Sequence, residues 1–262
     1  ARVAMLSPRE SKALDFGNAY HCAVLEPERY VKEFVRGLEL GNRSAADKDA
    51  HARFRQQHFG KTVLTAAEWD LIGQMAPVLR AHETAAAFLA ARGKNEVAAV
   101  WIDAETGLTC KLRADALRVW QGWTWCGDLK TTRDASPEGW PREVHTYGYD
   151  SAAAWYLDGL DVLSPRQRRF VHIAQEKEPP FAVAVYELQQ PSIEKGRARC
   201  RRYLRAHAAA VASGLYPAYP AGILPCDLPG WSLKQEDGHD DDDTAGGSAG
   251  TDDPGDAARA EG

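Results

Sequence analysis

Apolar positions recur with helical spacing from residue 11 to residue 26, at Leu14, Ala19, Cys22, Val24 and Leu25, and Pro27 brings that pattern to an end. Residues 45–58 are polar and only loosely helical. Thr65 followed three residues later by Glu68 is a capping box, which predicts a helix from there to about residue 91, stopped by Gly93. The period then shortens. Residues 97–102, 109–117 and 123–131 predict three strands, separated by Glu105-Thr106-Gly107 and by Gln121-Gly122. Residues 137–160 return to a helical pattern, interrupted at Pro141 and Gly148. Two more strands, 169–174 and 182–188, flank Pro179-Pro180, and a last helix starts at Pro191 and ends at Gly214. Residues 216–231 are proline-rich and irregular. Helices, three strands, helix, two strands, helix: this order predicts an α/β fold, a mixed central sheet flanked by helices.

Composition refines the picture. The chain has 262 residues, 44% of them hydrophobic, enough for a substantial core. No apolar run has membrane-spanning length and no charged-then-apolar leader opens the chain, so it reads as soluble, unexported and cytoplasmic, with no membrane partner. Five scattered cysteines without a C-x-x-C pair read as reduced thiols and argue against a disulfide framework or structural zinc. The formal net charge of −5 is dominated by residues 236–262, which hold ten acidic residues and one basic one. Residues 1–235 are left with 27 acidic against 31 basic residues, a mildly basic body that permits a polyanionic partner. The expected organisation is one domain over 1–235 and a disordered acidic tail over 236–262.

The chemistry concentrates on the second and third strands. Alternation along residues 124–131 puts Cys126, Asp128 and Lys130 on one face and Trp125 and Leu129 on the other. Aromatic residues and a leucine on that opposite face read the strand as half buried, at a cleft. Asp115 lies near the end of the preceding strand, so a hairpin brings it to the same edge as Asp128. Two converging carboxylates are costly without a cation between them, and hard oxygen donors suit Mg²⁺ or Mn²⁺. A lysine beside them can orient the attacking water and stabilise charge on a phosphoryl oxygen. On the last helix, Arg197, Arg201 and Arg205 form an i, i+4 stripe, which reads either as a solvated face or as a set of phosphate contacts.

Asp115-x12-Asp128-Leu129-Lys130 resembles the signature of PD-(D/E)XK nucleases, which have a restriction-endonuclease-like core. Gly17-x-x-x-His21 followed by Leu25-Glu26-Pro27, Arg113-Ala114-Asp115, Asp128-Leu129-Lys130-Thr131-Thr132, and Tyr147-Gly148-Tyr149 with Trp155-Tyr156 resemble, in order, motifs of the exodeoxyribonuclease VIII (RecE-type) family. The resemblance runs over residues 11–217. It implies His21, Asp115, Asp128 and the Leu129 carbonyl as metal ligands, Lys130 as the catalytic lysine, and Glu26 as an aid to the helix or to the attacking water. It implies a metal-dependent exonuclease on duplex DNA ends, acting 5′ to 3′ in phage-type recombination. It also implies an annealing protein as partner and a ring-shaped homo-oligomer. Tyr149 and Tyr156 join the arginine stripe as candidate DNA contacts. Ala152 stands where the family usually has a glutamine. Two alternatives stay open: an endonuclease or Cas4- or AddB-like nuclease on the same core, and a catalytically silent DNA-binding protein.

Overall fold

Why the first helix stops where it does follows from Pro27. Its ring disfavours helical geometry at the residue before it, and Glu26 sits at φ −139°, ψ 61°. In the computed structural model, which describes residues 12–41, 44–216, 218–228 and 230, helix α1 runs Lys12–Leu25. Pro27 then serves as the first residue of a second helix, α2 Pro27–Glu33, which the hydrophobic pattern did not reveal. Strand β1 (Phe34–Arg36) follows, and pairs in parallel with β2 (Thr62–Leu64) across α3 (Ala45–Gln57). Three-residue strands are too short for alternation to register, so both are absent from the sequence reading. The Ser44 side chain accepts a hydrogen bond from the Asp47 backbone N–H and caps α3.

The long helix expected from Thr65 is two helices. The capping box forms as expected and starts α4 (Ala66–Ala81), but His82 takes an extended conformation. Its Nδ1 accepts from the Ala85 N–H at 3.2 Å and caps α5 (Glu83–Ala90). Beyond Gly93 come the strands β3 (Gly93–Ile102), β4 (Thr109–Trp120) and β5 (Trp123–Thr132), each longer than expected. Helices α6 (Trp140–Tyr147) and α7 (Tyr149–Leu163) meet at Gly148, whose left-handed φ of 68° turns the chain between them. Pro141 interrupts nothing; it lies in the first turn of α6, where no intrahelical N–H is required. Strands β6 (Arg168–Glu176) and β7 (Val183–Glu187) and helix α8 (Gln190–Ser213) complete the order.

The large sheet runs β3-β4-β5-β6-β7, antiparallel except for the parallel β5–β6 pair, whose crossover is α6–α7. One face packs Trp125, Leu129 and Ile173 against Tyr20, Ile72, Met75, Leu79 and Phe88 from α1, α4 and α5. The other packs Leu112, Ala114, Cys126 and Phe170 against Leu157 and Leu160 from α7. Strand β5 is therefore central and covered on both faces, with Cys126 at 0% and Leu129 at 2% exposure, and not half buried as its pattern suggested. Burial by helices on the second face is a tertiary event that alternation cannot report. A Cβ at Gly127 would stand 2.6 Å from the Phe88 ring, so glycine there is what lets α5 lie against β5. Tyr20 is locked by a hydrogen bond from its hydroxyl to Gln175 Oε1, while Gln175 Nε2 donates to the carbonyls of Met75 and Phe181. That buried clamp fixes the rotation of α1 and thereby the direction of the next residue, His21.

All these elements belong to one compact unit, residues 1–216. In the second unit, 217–262, residues 218–228 carry no helix or strand, and the acidic segment 236–262 lies outside the described residues. No helix among the described residues is long and apolar enough to cross a membrane.

Candidate active site

Strand register lines the chemistry up. Asn95 and Val97 pair with Ala116 and Ala114, which puts Glu96 opposite Asp115. Ala116 pairs with Gly127, so the next step of that ladder would set Asp115 opposite Asp128. Asp128 pairs with His172, and His172 with Tyr186. One transverse row of the sheet thus carries Glu96, Asp115, Asp128, His172 and Tyr186. The β4–β5 ladder stops one step short of the two aspartates, although both strands continue. In the opening, the Leu129 N–H donates to Asp115 Oδ2 at 2.8 Å. A strand residue turns its N–H and C=O to the same edge, so the Leu129 carbonyl faces the opening too.

His21 reaches this point from α1, its Nδ1 3.4 Å from Asp115 Oδ2. One donor atom each from His21, Glu96 and Asp115 lies within 4.8 Å of the other two. Asp128 stands outside that triplet. It faces Lys130, whose Nζ is 2.6 Å from Asp128 Oδ2 and 5.3 Å from the Tyr149 ring centroid. The two aspartates sense each other. Burial raises the Asp128 pKa and the nearby Asp115 charge adds to the rise, against the pull of Lys130. Burial pushes on Asp115 as well, but the hydrogen bond and charge of His21, the charge of Lys130 and the Leu129 N–H together hold it below the usual range. For Lys130, burial is outweighed by the two aspartates, so the ammonium stays charged.

Sequence reasoning missed Glu96. Its φ of 49° is rare for a non-glycine residue, and its Oε2 is buried 3.0 Å from Arg113 Nε without an aligned hydrogen bond. Burial raises its pKa despite Arg113. A signal does exist: a hairpin centred on Glu105-Thr106 pairs position 115 with position 96, one residue before the start that the alternation predicts for that strand. His172 was missed for a different reason, since nothing local distinguishes a histidine inside an apolar strand. Burial, with Lys130 adding to it, pushes its pKa down to about 3, so the imidazole is neutral.

The remaining candidates divide. Glu26 shares a cavity of about 200 Å³ with His21, Cys22, Arg29, Glu96 and Arg113, and its Oε2 accepts from Arg29 Nη1 at 2.7 Å. Tyr149 lies beside Lys130, and Tyr156 is near enough to Asp128 for that charge, after burial, to help push its phenol up to about 12. The arginine stripe is different. Arg197 grips Asp158 at 2.8–3.0 Å, Arg201 reaches Asp103 at 2.5 Å, and Arg205 pairs with Glu105. These pairs tie α8 to α7 and to the β3–β4 turn, so each arginine of the stripe has a carboxylate partner within the fold. Arg201→Ala should leave the buried Asp103 carboxylate with only its Thr106 hydrogen bonds and cost roughly 1–3 kcal/mol in urea unfolding. The salt dependence of DNA binding should not change; a shallower slope would return Arg201 to the DNA contacts.

A metal fits this site on its own geometry. Among the described residues six buried side-chain polar atoms lack a hydrogen-bond partner, and four belong to Glu96, Asp128 and His172. The carboxylate oxygens of Glu96 and Asp115, within 4.8 Å of each other and of a His21 nitrogen, are a donor set that a divalent cation such as Mg²⁺ or Mn²⁺ can share.

Comparison with known proteins agrees with the fold. No curated protein matches the sequence. A crystal structure named "Putative exonuclease", from Eubacterium rectale, superposes with a TM-score of 0.52 at 12% identity, over 88% of this chain and 82% of that one. A second solved structure, of SSO0001, has a TM-score of 0.28 at 18% identity, over 60% of this chain and 72% of that one, too distant to bear on the fold. Residues 3–227 match the family described as "PDDEXK-like domain of unknown function (DUF3799)". With a mixed sheet that opens between β4 and β5 at its paired acids, the chain belongs to that PDDEXK-like family.

Proposed function

We propose that this protein is a divalent-metal-dependent exodeoxyribonuclease that hydrolyses linear duplex DNA from an end, 5′ to 3′. The observation that carries the reading is the row Glu96–Asp115–Asp128 at the sheet opening, with Lys130 on the same strand as Asp128. His21, Asp115, Asp128 and the Leu129 carbonyl would hold the ion, and Glu96 joins them. When bound, Mg²⁺ or Mn²⁺ supplies Lewis-acid polarisation of the phosphoryl group and acidifies water. The chain's own residues do the rest. Lys130 keeps its proton and brings a fixed positive charge to the point where a phosphoryl oxygen gains negative charge. The Tyr149 ring lies beside that ammonium, and the Asp128 carboxylate pairs with it while no ion is bound. The Tyr20–Gln175 clamp keeps His21 aimed at Asp115 without rearrangement.

Action at ends is supported by the RecE-type motifs and by the name given to the Eubacterium rectale protein. That resemblance also supports a ring-shaped homo-oligomer, a single-strand annealing partner and a role in phage-type recombination. End-labelled linear duplex and covalently closed circular duplex, each incubated with Mg²⁺ or Mn²⁺, test the reading. Linear duplex should release acid-soluble nucleotides from the first time points while closed circles survive. Rapid nicking of closed circles would assign an endonuclease to the same residues, and no hydrolysis of either substrate would make the protein a silent DNA binder.

A further inference from the structure

The imidazole of His172 has no part in the chemistry described so far. It is 0% exposed and is enclosed by Phe170, Trp140 and Tyr149, with ring centroids 5.0, 5.4 and 5.9 Å away. A neutral imidazole has one donor and one acceptor nitrogen, and here neither has a partner. An apolar side chain would fill such an aromatic cage without leaving two polar atoms orphaned, so packing does not account for histidine at this position. Its direction does. His172 is the register partner of Asp128 on the adjacent strand, and its Nε2 faces Asp128 Oδ2 at 3.9 Å. That oxygen also lacks an aligned hydrogen bond, despite its 2.6 Å approach to Lys130 Nζ. An imidazole nitrogen without a partner therefore lies next to a carboxylate oxygen held only by its ion pair with Lys130.

We propose that His172 is a positioning residue for Asp128: its Nε2–H is the donor that orients the carboxylate when Asp128 serves a divalent cation in place of the Lys130 ammonium. The proposal rests on the metal-nuclease reading. Carboxylates that ligate metals are commonly held by a hydrogen bond from behind, and losing such a partner lowers metal affinity by roughly 10–100-fold.

The experiment measures Mn²⁺ binding to the full chain without DNA, by calorimetry and by the electron paramagnetic resonance of free Mn²⁺. The proteins are the parent, His172→Leu, His172→Gln and Asp128→Asn. His172→Leu should bind Mn²⁺ at least about tenfold more weakly while its melting temperature without metal stays level or rises, since two orphaned nitrogens are gone. His172→Gln keeps an uncharged N–H donor and should stay within about threefold of the parent. If leucine does not fold in the cage, His172→Phe takes its place with the same thresholds. Parent-like Mn²⁺ affinity in the leucine variant, or equal loss in the glutamine variant, overturns the assignment of His172 alone, provided Asp128→Asn has lost the metal. Mn²⁺ binding by the parent that Asp128→Asn retains in full removes Asp128 from the ligands and overturns this proposal alone, whereas no binding by the parent overturns the metal reading and this proposal with it.

Discussion

Lys130→Met should lower DNA hydrolysis by roughly a hundredfold or more while the protein remains folded, because methionine keeps the stem and removes the charge. Its consequence for stability has a distinctive sign. Lys130 is the cation 2.6 Å from Asp128, and Asp128 is only 3% exposed. Without the ammonium, the buried carboxylate loses the group that most opposes its desolvation, so the metal-free variant should melt at a lower temperature than the parent. Mg²⁺ or Mn²⁺ should recover much of that difference by providing a replacement cation, without recovering the rate. Differential scanning fluorimetry with and without metal, alongside release of end label from linear duplex, measures both. A variant that digests DNA at the parental rate would remove Lys130 from the chemistry. One that stays inactive but gains no stability from metal would show that the ion does not reach Asp128.

Glu96 should separate stability from activity in the opposite direction. Its φ of 49° lies in the left-handed region, at a cost of order 1–3 kcal/mol for a side chain with a Cβ. Glycine has no such penalty. Glu96→Gly should therefore raise the melting temperature, and Glu96→Gln, which keeps the Cβ, should not. Both remove a carboxylate from the His21–Asp115 cluster, so both should cut hydrolysis by roughly tenfold or more and raise the Mg²⁺ concentration needed for half-maximal rate. Metal titrations of the initial rate, beside urea unfolding of the same samples, decide the matter. A fully active Glu96→Gln would mean that the strained backbone serves the strand and not the site.

Strained conformation, unpartnered oxygens and close carboxylates coincide at one row of the sheet, and this is the common pattern of a site whose energetic costs are offset by a ligand. The same row explains why the paired acids alone were an incomplete reading. Sequence spacing relates Asp115 to Asp128 because a two-residue turn at Gln121-Gly122 separates them, and it relates Asp128 to Lys130 because they lie two apart on one strand. Glu96 and His172 enter the row from the outer strands. Glu96 needs the β3–β4 register to be extended past Val97, and His172 needs the parallel β5–β6 pairing across an intervening crossover.

What the amino-acid sequence by itself determined was local. The capping box at Thr65, the helix interruption at Gly148, the helix end at Gly214, the strand alternation around Asp128 and the nuclease-like order of His21, Asp115, Asp128 and Lys130 all depend on neighbours a few residues apart or on a recognisable succession of motifs. Tertiary structure decided the rest. His82 breaks a helix whose apolar period runs straight through it, because its side chain caps the next one. Asp158, Asp103 and Glu105 meet Arg197, Arg201 and Arg205 only when α8 docks, turning a basic stripe into a set of clamps. The β4–β5 ladder opens at the aspartates, and that opening turns two acids on paired strands into a candidate metal site. The reason is physical. Caps, turns and alternation are set by the chain's own short-range sterics and hydrogen bonds, whereas counter-charges, orphaned polar atoms and strand separation exist only between segments that folding brings together.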